Sequence, residues 1–270
     1  MKESKINELL KKLREESGYS QEQLASMLKL SRSSIAHIEM GIRKIKAEEL
    51  QKYSEIFDVN IDFLLGKTDE SKVKKNYDKD KFIELLLYIL EKCGAKYNVG
   101  KTVLYKLLYF AEFDFFERYK KNISGISFVK LPRGPAPFGF DFIVNDLIKK
   151  QALVKVIAPY YSNYFQERFI PNRKVNVDIF SIEEKDVIDD VIERYSDFSA
   201  SEISEKSHDD FPWKITKDMD IIDYNLVADR SYPYSPLARE NKKKEVQEFA
   251  KMTGFFNDLI NEPDLYEEYR

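Results

Sequence analysis

Apolar residues recur at helical spacing throughout residues 1–66. They stand three or four positions apart in five successive groups, which predicts five short helices. The repeating positions are Ile6, Leu9, Leu10, Leu13, Leu24, Met27, Leu28, Ile35, Ile38, Leu50, Tyr53, Ile56, Phe57, Ile61, Leu64 and Leu65. Ser20, with Gln23 three residues on, has the pattern of a capping box, and Gly41 is placed to end the following helix. The pattern therefore predicts a small all-helical domain over residues 1–66.

The polar pattern changes sharply after residue 66. Residues 67–80 are almost wholly polar and mixed in charge, so they offer no apolar face to a core. We therefore predict a flexible linker over 67–80, followed by a second domain over 81–270.

The second domain mixes helical and strand patterns. Helical spacing predicts elements near 82–91, 101–120, 138–150, 182–195, 199–207 and 238–260. A short strand is predicted at 126–129, and two strands of a hairpin at 153–157 and 164–170. Three prolines within 131–137 exclude a helix and predict a loop of fixed shape. The predicted fold class is mainly α with a small β component (α+β), a five-helix domain followed by a helical domain with a short β-hairpin.

Composition agrees with two folded domains and narrows the chemistry. The chain has 270 residues, of which 43% are hydrophobic and 14% aromatic, enough to bury two cores. Its 44 basic and 47 acidic residues give a net charge of −3, which argues against a wholly basic nucleic-acid coating protein but allows a local basic face.

Few residues could hold a metal or form a disulfide. One cysteine cannot form an internal disulfide, and two histidines with one cysteine cannot supply a four-ligand zinc site by themselves. We expect no metal and no cofactor. The N-terminus has no apolar signal core and the apolar runs are too short for a membrane span, so we expect a cytoplasmic protein with no membrane partner.

Residues 19–41 carry the layout of a helix-turn-helix. Two short helices follow each other closely, and Ile35 and Ile38 turn the polar side chains at the start of the second helix outward. The predicted DNA-binding residues are Gln21, Ser31, Arg32, Ser33, Ser34, His37, Arg43 and Lys44. Residues 5–66 resemble the Cro/repressor helix-turn-helix family, which implies double-stranded operator DNA as a partner and a homodimer on a palindromic site. The alternative is a helical protein-interaction domain that no longer binds DNA.

A second set of motifs lies between residues 80 and 230. Residues 106–111 read Lys-Leu-Leu-Tyr-Phe-Ala, Gly134-Pro135 follows Lys130, and Ser207-His208, Pro212-Trp213 and Ile222-Asp223-Tyr224 come later. These motifs resemble the SocA-like Panacea antitoxin family. The resemblance implies a domain that neutralises a cognate toxin, encoded next to it, by direct protein contact.

Aromatic and arginine side chains are the usual anchors of protein interfaces, and a rigid Gly-Pro loop is well placed to be exposed. The predicted toxin-binding residues are Lys106, Tyr109, Phe110, Phe113, Lys130, Arg133, Gly134, Pro135 and Pro137. The alternatives are that the aromatics are ordinary core residues and that the Gly-Pro sequence only makes a turn.

The sequence gives little support for catalysis. Asp178 with Glu183–Lys185 has the residue types of a metal-dependent nuclease, but Ser181 and Glu184 also fit a capping box. His208 with neighbouring carboxylates could bind a metal, cap a helix end or partner Trp213. Cys93 fits a buried, inert thiol. We therefore expect a protein that is not an enzyme.

The predicted function is that of an antitoxin that also represses its own operon. Two alternatives remain at this point. The chain could be a transcriptional repressor whose second domain is a sensor or oligomerisation module, or a proteolytic adaptor for a partner protein.

Overall fold

The computed structural model describes residues 2–16, 19–57, 61–65, 77–161 and 164–253. The N-terminal part is built from five helices, as the apolar spacing predicted. They are α1 (Lys2–Glu16), α2 (Gln21–Leu28), α3 (Arg32–Glu39), α4 (Ala47–Phe57) and α5 (Ile61–Leu64). The capping box of Ser20 and Gln23 at the start of α2 is confirmed. Lys29 ends α2 in the left-handed conformation and turns the chain into α3.

A separate hydrophobic core joins these five helices. Leu24, Ile35, Ile38 and Tyr53 are completely buried in it. A buried ion pair between Arg14 of α1 and Glu39 of α3 adds a polar link, with Arg14 Nε 2.5 Å from Glu39 Oε1. Because both groups are buried, removing either one would leave the charge of the other buried without a counter-charge. The pair therefore fixes α3 against α1.

The second part of the chain is mainly helical with small antiparallel sheets, which confirms the predicted fold class. Its helices are α6 (Lys79–Cys93), α7 (Lys101–Tyr119), α8 (Phe140–Lys149), α9 (Ile182–Tyr195), α10 (Ala200–Asp209), α11 (Phe211–Ile215) and α12 (Pro236–Thr253). Its strands are β1 (Phe128–Leu131), β2 (Gly134–Pro137), β3 (Leu153–Tyr161), β4 (Tyr164–Pro171) and β5 (Ile221–Ile222). Two short 3-10 helices lie at Val177–Ile179 and Tyr224–Asp229.

Helix α7 is the centre of the second core. Helices α6, α9, α10 and α12, strand β2 and the second 3-10 helix all contact it. Phe110 stacks on Tyr195 of α9 with ring centroids 4.4 Å apart, and Phe113 stacks on Tyr224 at 4.2 Å. A helix surrounded in this way is apolar on most of its circumference, which explains its lack of a simple amphipathic stripe.

The proline-rich segment is a strand, where the sequence predicted a loop. Strand β2 pairs antiparallel with β1, with Phe128 opposite Pro137 and Leu131 opposite Gly134. It stands at the end of the sheet order β2-β1-β5. Prolines lack amide donors, and an edge strand tolerates them because one side of its backbone needs no partner. The predicted exclusion of a helix holds, and the hairpin β3-β4 is confirmed.

Helix bounds differ from the predicted ones mainly at the ends. Helix α9 has the predicted limits, whereas α6 starts at Lys79, two residues inside the segment predicted as linker. The cause is the Asp78 side chain, which accepts a hydrogen bond from Lys81 N at 2.9 Å and caps the helix. Residues 67–76 of the predicted linker and residues 254–260 of the last predicted helix lie outside the described residues.

A buried ionic network attaches the C-terminal segment to α7. The Arg230 guanidinium contacts Asp210 through two hydrogen bonds, and its Nη1 lies 2.8 Å from Asp114 Oδ1. Arg194 and Arg239 donate to the other oxygen of Asp114 at 2.8 and 3.1 Å. The three guanidinium groups hold the pKa of Asp114 below its ordinary value although burial acts to raise it. Four separate segments of the second domain therefore meet at one carboxylate.

Within the described ranges, the structure contains no helix that is both long and apolar enough to cross a lipid bilayer.

Candidate functional site

The start of α3 presents the polar face that the sequence predicted. Arg32, Ser33 and His37 are exposed, while Ile35 and Ile38 are completely buried on the opposite side. Ser31 caps the helix by accepting a hydrogen bond from Ser34 N at 3.1 Å. Arg32 and His37 are therefore the side chains of this face that are free of cap contacts and long enough to reach a base edge.

Three further predicted DNA contacts flank α3. Gln21 donates from Nε2 to Glu39 Oε2 at 3.0 Å, so the buried Arg14–Glu39 pair also positions this side chain. Arg43 donates two hydrogen bonds to Glu49, at 3.1 and 2.6 Å, and Lys44 is exposed. Burial acts to raise the pKa of Glu49, but the bonds from Arg43 and from Lys46 N lower it overall. A phosphate bound by Arg43 would share that guanidinium with Glu49.

The aromatic residues predicted to bind a partner lie in the core. The exposed fractions of Tyr109, Phe110 and Phe113 are 1% or less. These side chains face α9, β1 and the second 3-10 helix, because α7 is surrounded by other elements. Pro135 and Pro137 are also buried, in β2. The prediction that these five residues form a partner surface is corrected by this burial, and the alternative of ordinary core residues applies to the aromatics.

The other four predicted partner-binding residues come together, but Lys106, Lys130 and Gly134 are buried as well, so that Arg133 is the exposed one of the nine. Lys106 of α7, Lys130 of β1 and Arg133 of the β1–β2 turn lie near His208 and Trp213. We call these five side chains the Lys106 cluster. The positive charge of Arg133 lowers the pKa of Lys106, and the charges of Lys106 and Lys130 lower the pKa of His208. The Trp213 ring contacts both Lys130 and His208.

Gly134 brings the β1–β2 turn onto Lys106. Its φ is +100°, a conformation that favours glycine. A Cβ atom at this position would collide with Ser207 Oγ and Lys106 Cε, and would lie 3.1 Å from Lys106 Nζ. The glycine is therefore required by backbone conformation and by space together, and it closes the turn over the lysine amine.

Lys106 is a buried amine with no hydrogen-bond partner in the described part of the chain. Its side chain is 1% exposed. Burial, with a smaller effect from Arg133, lowers the pKa of Lys106 to about 7. Such a group is expensive to bury unless a charge partner is provided.

Trp213 lies between two other members of the cluster. Its ring stacks on His208 with centroids 4.2 Å apart, and Lys130 Nζ lies 4.2 Å from the Trp213 ring. Lys130 also donates to Thr216 O at 2.9 Å, which fixes the ammonium over the ring. Trp213 Nε1 and His208 Nε2 are both buried without a hydrogen-bond partner among the described residues. The sequence hypothesis that His208 partners Trp213 is confirmed.

The catalytic candidates of the sequence have structural roles here. Ser181 and Glu184 form the capping box of α9. Cys93 is buried, as predicted; burial raises the pKa of its thiol to about 11, and its Sγ donates to Ile89 O. Over the residues that the structure describes, no three His, Cys, Asp or Glu side chains group as metal ligands.

Three residues of the second domain were not among the predicted site residues. Trp213 and His208 appeared in the sequence only as part of a family-like motif, and their stacking was one alternative among three. Arg230 hydrogen-bonds to both Asp114 and Asp210. No local sequence pattern predicts these contacts, because the two partners are 116 and 20 residues away in the chain.

Both parts of the chain match models of known protein families. Residues 104–214, which contain the whole Lys106 cluster, match the family model described as antitoxin SocA-like, Panacea domain. Residues 10–64 match the model described as helix-turn-helix. The HTH-type transcriptional regulator ImmR of Bacillus subtilis (strain 168) is 31% identical over 67 residues, which cover 25% of this chain and 53% of ImmR. The chain thus spans about half the length of that relative.

No solved structure matches the chain. The family matches cover separate segments, each with its own buried core. The chain therefore combines an N-terminal helix-turn-helix domain with a SocA-like Panacea antitoxin domain.

Proposed function

We propose that this protein is the antitoxin of a toxin–antitoxin pair and binds its toxin through the Panacea domain. The observation that carries the proposal is the Panacea match over residues 104–214, which includes every member of the Lys106 cluster. The cluster lies where the β1–β2 turn meets α10 and α11, and Arg133 is its exposed member. Binding there would occlude the toxin's active surface without any chemical step in the antitoxin.

The helix-turn-helix domain supplies the second half of the proposed function, which is repression of the protein's own operon. Arg32 and His37 on α3 are the base-reading candidates, and Lys44 is placed for the phosphate backbone. One short helix offers few base contacts, each good one worth about 1–3 kcal/mol. We therefore propose that the protein binds a palindromic operator as a homodimer.

Growth rescue tests the neutralising role. The open reading frame next to this gene is induced alone, with the wild-type protein, and with a variant in which Arg133 is replaced by glutamate. The wild type is expected to restore growth and Arg133→Glu to restore less of it. A neighbouring gene product that leaves growth unchanged when expressed alone would contradict the antitoxin function.

The main alternative is a transcriptional regulator whose Panacea domain senses a signal. The match to ImmR favours it, because that relative is named as a transcriptional regulator and the match covers 67 residues of it. Under this alternative, operator binding would persist while the neighbouring product is harmless. The growth assay and an operator-binding assay on the same protein separate the two functions.

A further inference from the structure

We propose that the Lys106 cluster is a receptor for a carboxylate group presented by the partner protein. The inference rests on the proposed function for the identity of that partner, a toxin with an exposed Asp, Glu or C-terminal carboxylate at its interface.

Positive charge in the cluster exceeds the negative charge available to it. Lys106, Lys130 and Arg133 converge there, and the described residues give Lys106 and Arg133 no carboxylate partner. Lys130 is 3.4 Å from Asp218, but Asp218 is 89% exposed and largely hydrated. Glu205 and Asp209 act electrostatically on His208. An external anion would relieve this repulsion.

Unsatisfied polar atoms indicate the same ligand chemistry. Trp213 Nε1 is a buried donor without a partner among the described residues, and Lys106, which is 1% exposed, makes no hydrogen bond or ion pair within them. Buried donors normally find an acceptor, and those that do not are expected at binding sites. A carboxylate brings two oxygens with several lone pairs and no donor, so it complements such a cluster.

Arg133 is the group that would meet the carboxylate first. It stands exposed at the tip of the β1–β2 turn, where its guanidinium can donate two parallel hydrogen bonds to the two oxygens. Gly134 keeps the turn closely packed on Lys106. The ammonium of Lys106 would therefore attract the bound carboxylate from the interior side of the turn. The charged side chain of Lys130, already fixed over Trp213, completes the positive surface.

The surroundings favour a protein carboxylate over a nucleic-acid phosphate. Ile215, two residues after Trp213, is 59% exposed, and Pro132 is exposed beside Arg133. Apolar side chains beside an arginine anchor are typical of protein interfaces.

Trp213 is the single tryptophan of the chain, so its fluorescence reports on the cluster directly. The full chain is titrated with an acetylated, amidated tetraglutamate peptide, with the matching tetraglutamine peptide, and with inorganic phosphate. We expect a saturable change of Trp213 emission with tetraglutamate and none with tetraglutamine. Arg133→Gln is expected to weaken tetraglutamate binding roughly tenfold, the effect of losing one charge-assisted contact.

Matched variants control for charge and folding. Lys174→Gln removes one charge from an exposed lysine between β4 and α9 and is expected to leave the affinity within about twofold of wild type. Lys106→Met is expected to weaken binding as Arg133→Gln does. If Lys106→Met fails to fold, Arg133→Gln, an exposed substitution, decides the outcome.

Three results would overturn the inference: equal effects of the two peptides, tighter binding of phosphate than of tetraglutamate, or an unchanged affinity in Arg133→Gln. The titration contains no toxin, so it is independent of the growth assay. Peptide binding without growth rescue would overturn the proposed function alone. Growth rescue by a protein that does not distinguish the peptides would overturn the carboxylate receptor alone.

Discussion

Lys106 is the residue whose position conflicts most with folding stability. Its side chain is 1% exposed and its amine has no partner in the described part of the chain. An ammonium in such surroundings opposes folding, because transfer of a charge out of water without compensation is strongly unfavourable. Retaining lysine here is understandable if the amine serves binding, since function and stability often conflict at binding sites.

Replacement of Lys106 by methionine is therefore expected to stabilise the protein. Lys106→Met removes the buried charge at similar volume, and we expect the free energy of unfolding to rise by about 1–3 kcal/mol at pH 6. The folded-state pKa is about 7 against an ordinary value of 10.5. Below pH 7 both states are protonated and the penalty is complete. Between pH 7 and 10.5 the amine is deprotonated in the folded state but still protonated in the unfolded state, so stability rises with pH and the penalty fades.

Urea unfolding of wild type and Lys106→Met at pH 6 and pH 9.5 measures this effect. The advantage of the methionine variant should be smaller at pH 9.5. A difference between the two proteins that is independent of pH would show that the lysine amine is hydrated in the folded protein.

Arg32 is the corresponding test residue of the DNA-binding face. Arg32→Ala should weaken binding to the operator roughly 10- to 100-fold while leaving binding to random duplex nearly unchanged, because a base contact carries specificity. Lys44→Ala is the control, expected to weaken both equally through a lost phosphate contact. Quantitative gel-shift titrations measure the two affinities. Equal losses in Arg32→Ala on the two duplexes would contradict its base-reading role.

At the scale of elements, helix α7 shows what the sequence could and could not predict. The limits of α7 follow from its apolar spacing, and its predicted range of 101–120 is close to the observed Lys101–Tyr119. Which faces are buried depends on the elements packed around it, and these are distant in sequence. Tyr109, Phe110 and Phe113 were therefore assigned to a partner surface, although they are core residues.

Strand β2 gives a second example. Its prolines correctly excluded a helix, but strand pairing with β1 depends on the edge position of β2 in the sheet, which no local pattern encodes. The capping boxes of α2 and α9, in contrast, were predictable, because each depends on side chains only three residues apart.

The ionic network around Arg230 fixes the end of the second 3-10 helix against α7. Arg230→Met leaves Asp210 and Asp114 buried with fewer counter-charges, so we expect a loss of about 3–5 kcal/mol in the free energy of unfolding. Lys244→Met, which removes an exposed ion pair with Glu240 on α12, should change it by less than about 1 kcal/mol. Denaturant unfolding compares the two variants. Similar small losses in both would show that the network contributes little.

At the scale of the molecule, two cores follow each other along the chain. One joins α1–α5 and the other is centred on α7. Contacts between the two parts include Phe142 of α8, which packs on the N-terminal core, and Lys149, whose Nζ lies 5.8 Å from the centroid of the Tyr19 ring. Each part of the chain has its own periodic segments, and each has a buried core of its own. The sequence could not predict the Lys106 cluster, whose members come from five elements spread over 108 residues, from Lys106 to Trp213.

Separate cores predict separable functions. Deletion of residues 1–70 should abolish operator binding and leave neutralisation of the toxin intact, because each core buries its own apolar residues. Growth rescue and gel-shift titration of the truncated protein measure the two activities. Loss of rescue by a truncated protein that still folds, judged by its circular dichroism, would show that the helix-turn-helix domain also contacts the toxin.

Calorimetric titration of the purified product of the neighbouring gene into this protein tests the central claim most directly. We predict a saturable complex of the two proteins, weakened at least about 100-fold by Arg133→Glu, which replaces an attractive contact with a repulsive one, and unchanged by Lys174→Glu. The absence of any heat of binding with wild type, in a mixture where both proteins are folded, would contradict the account.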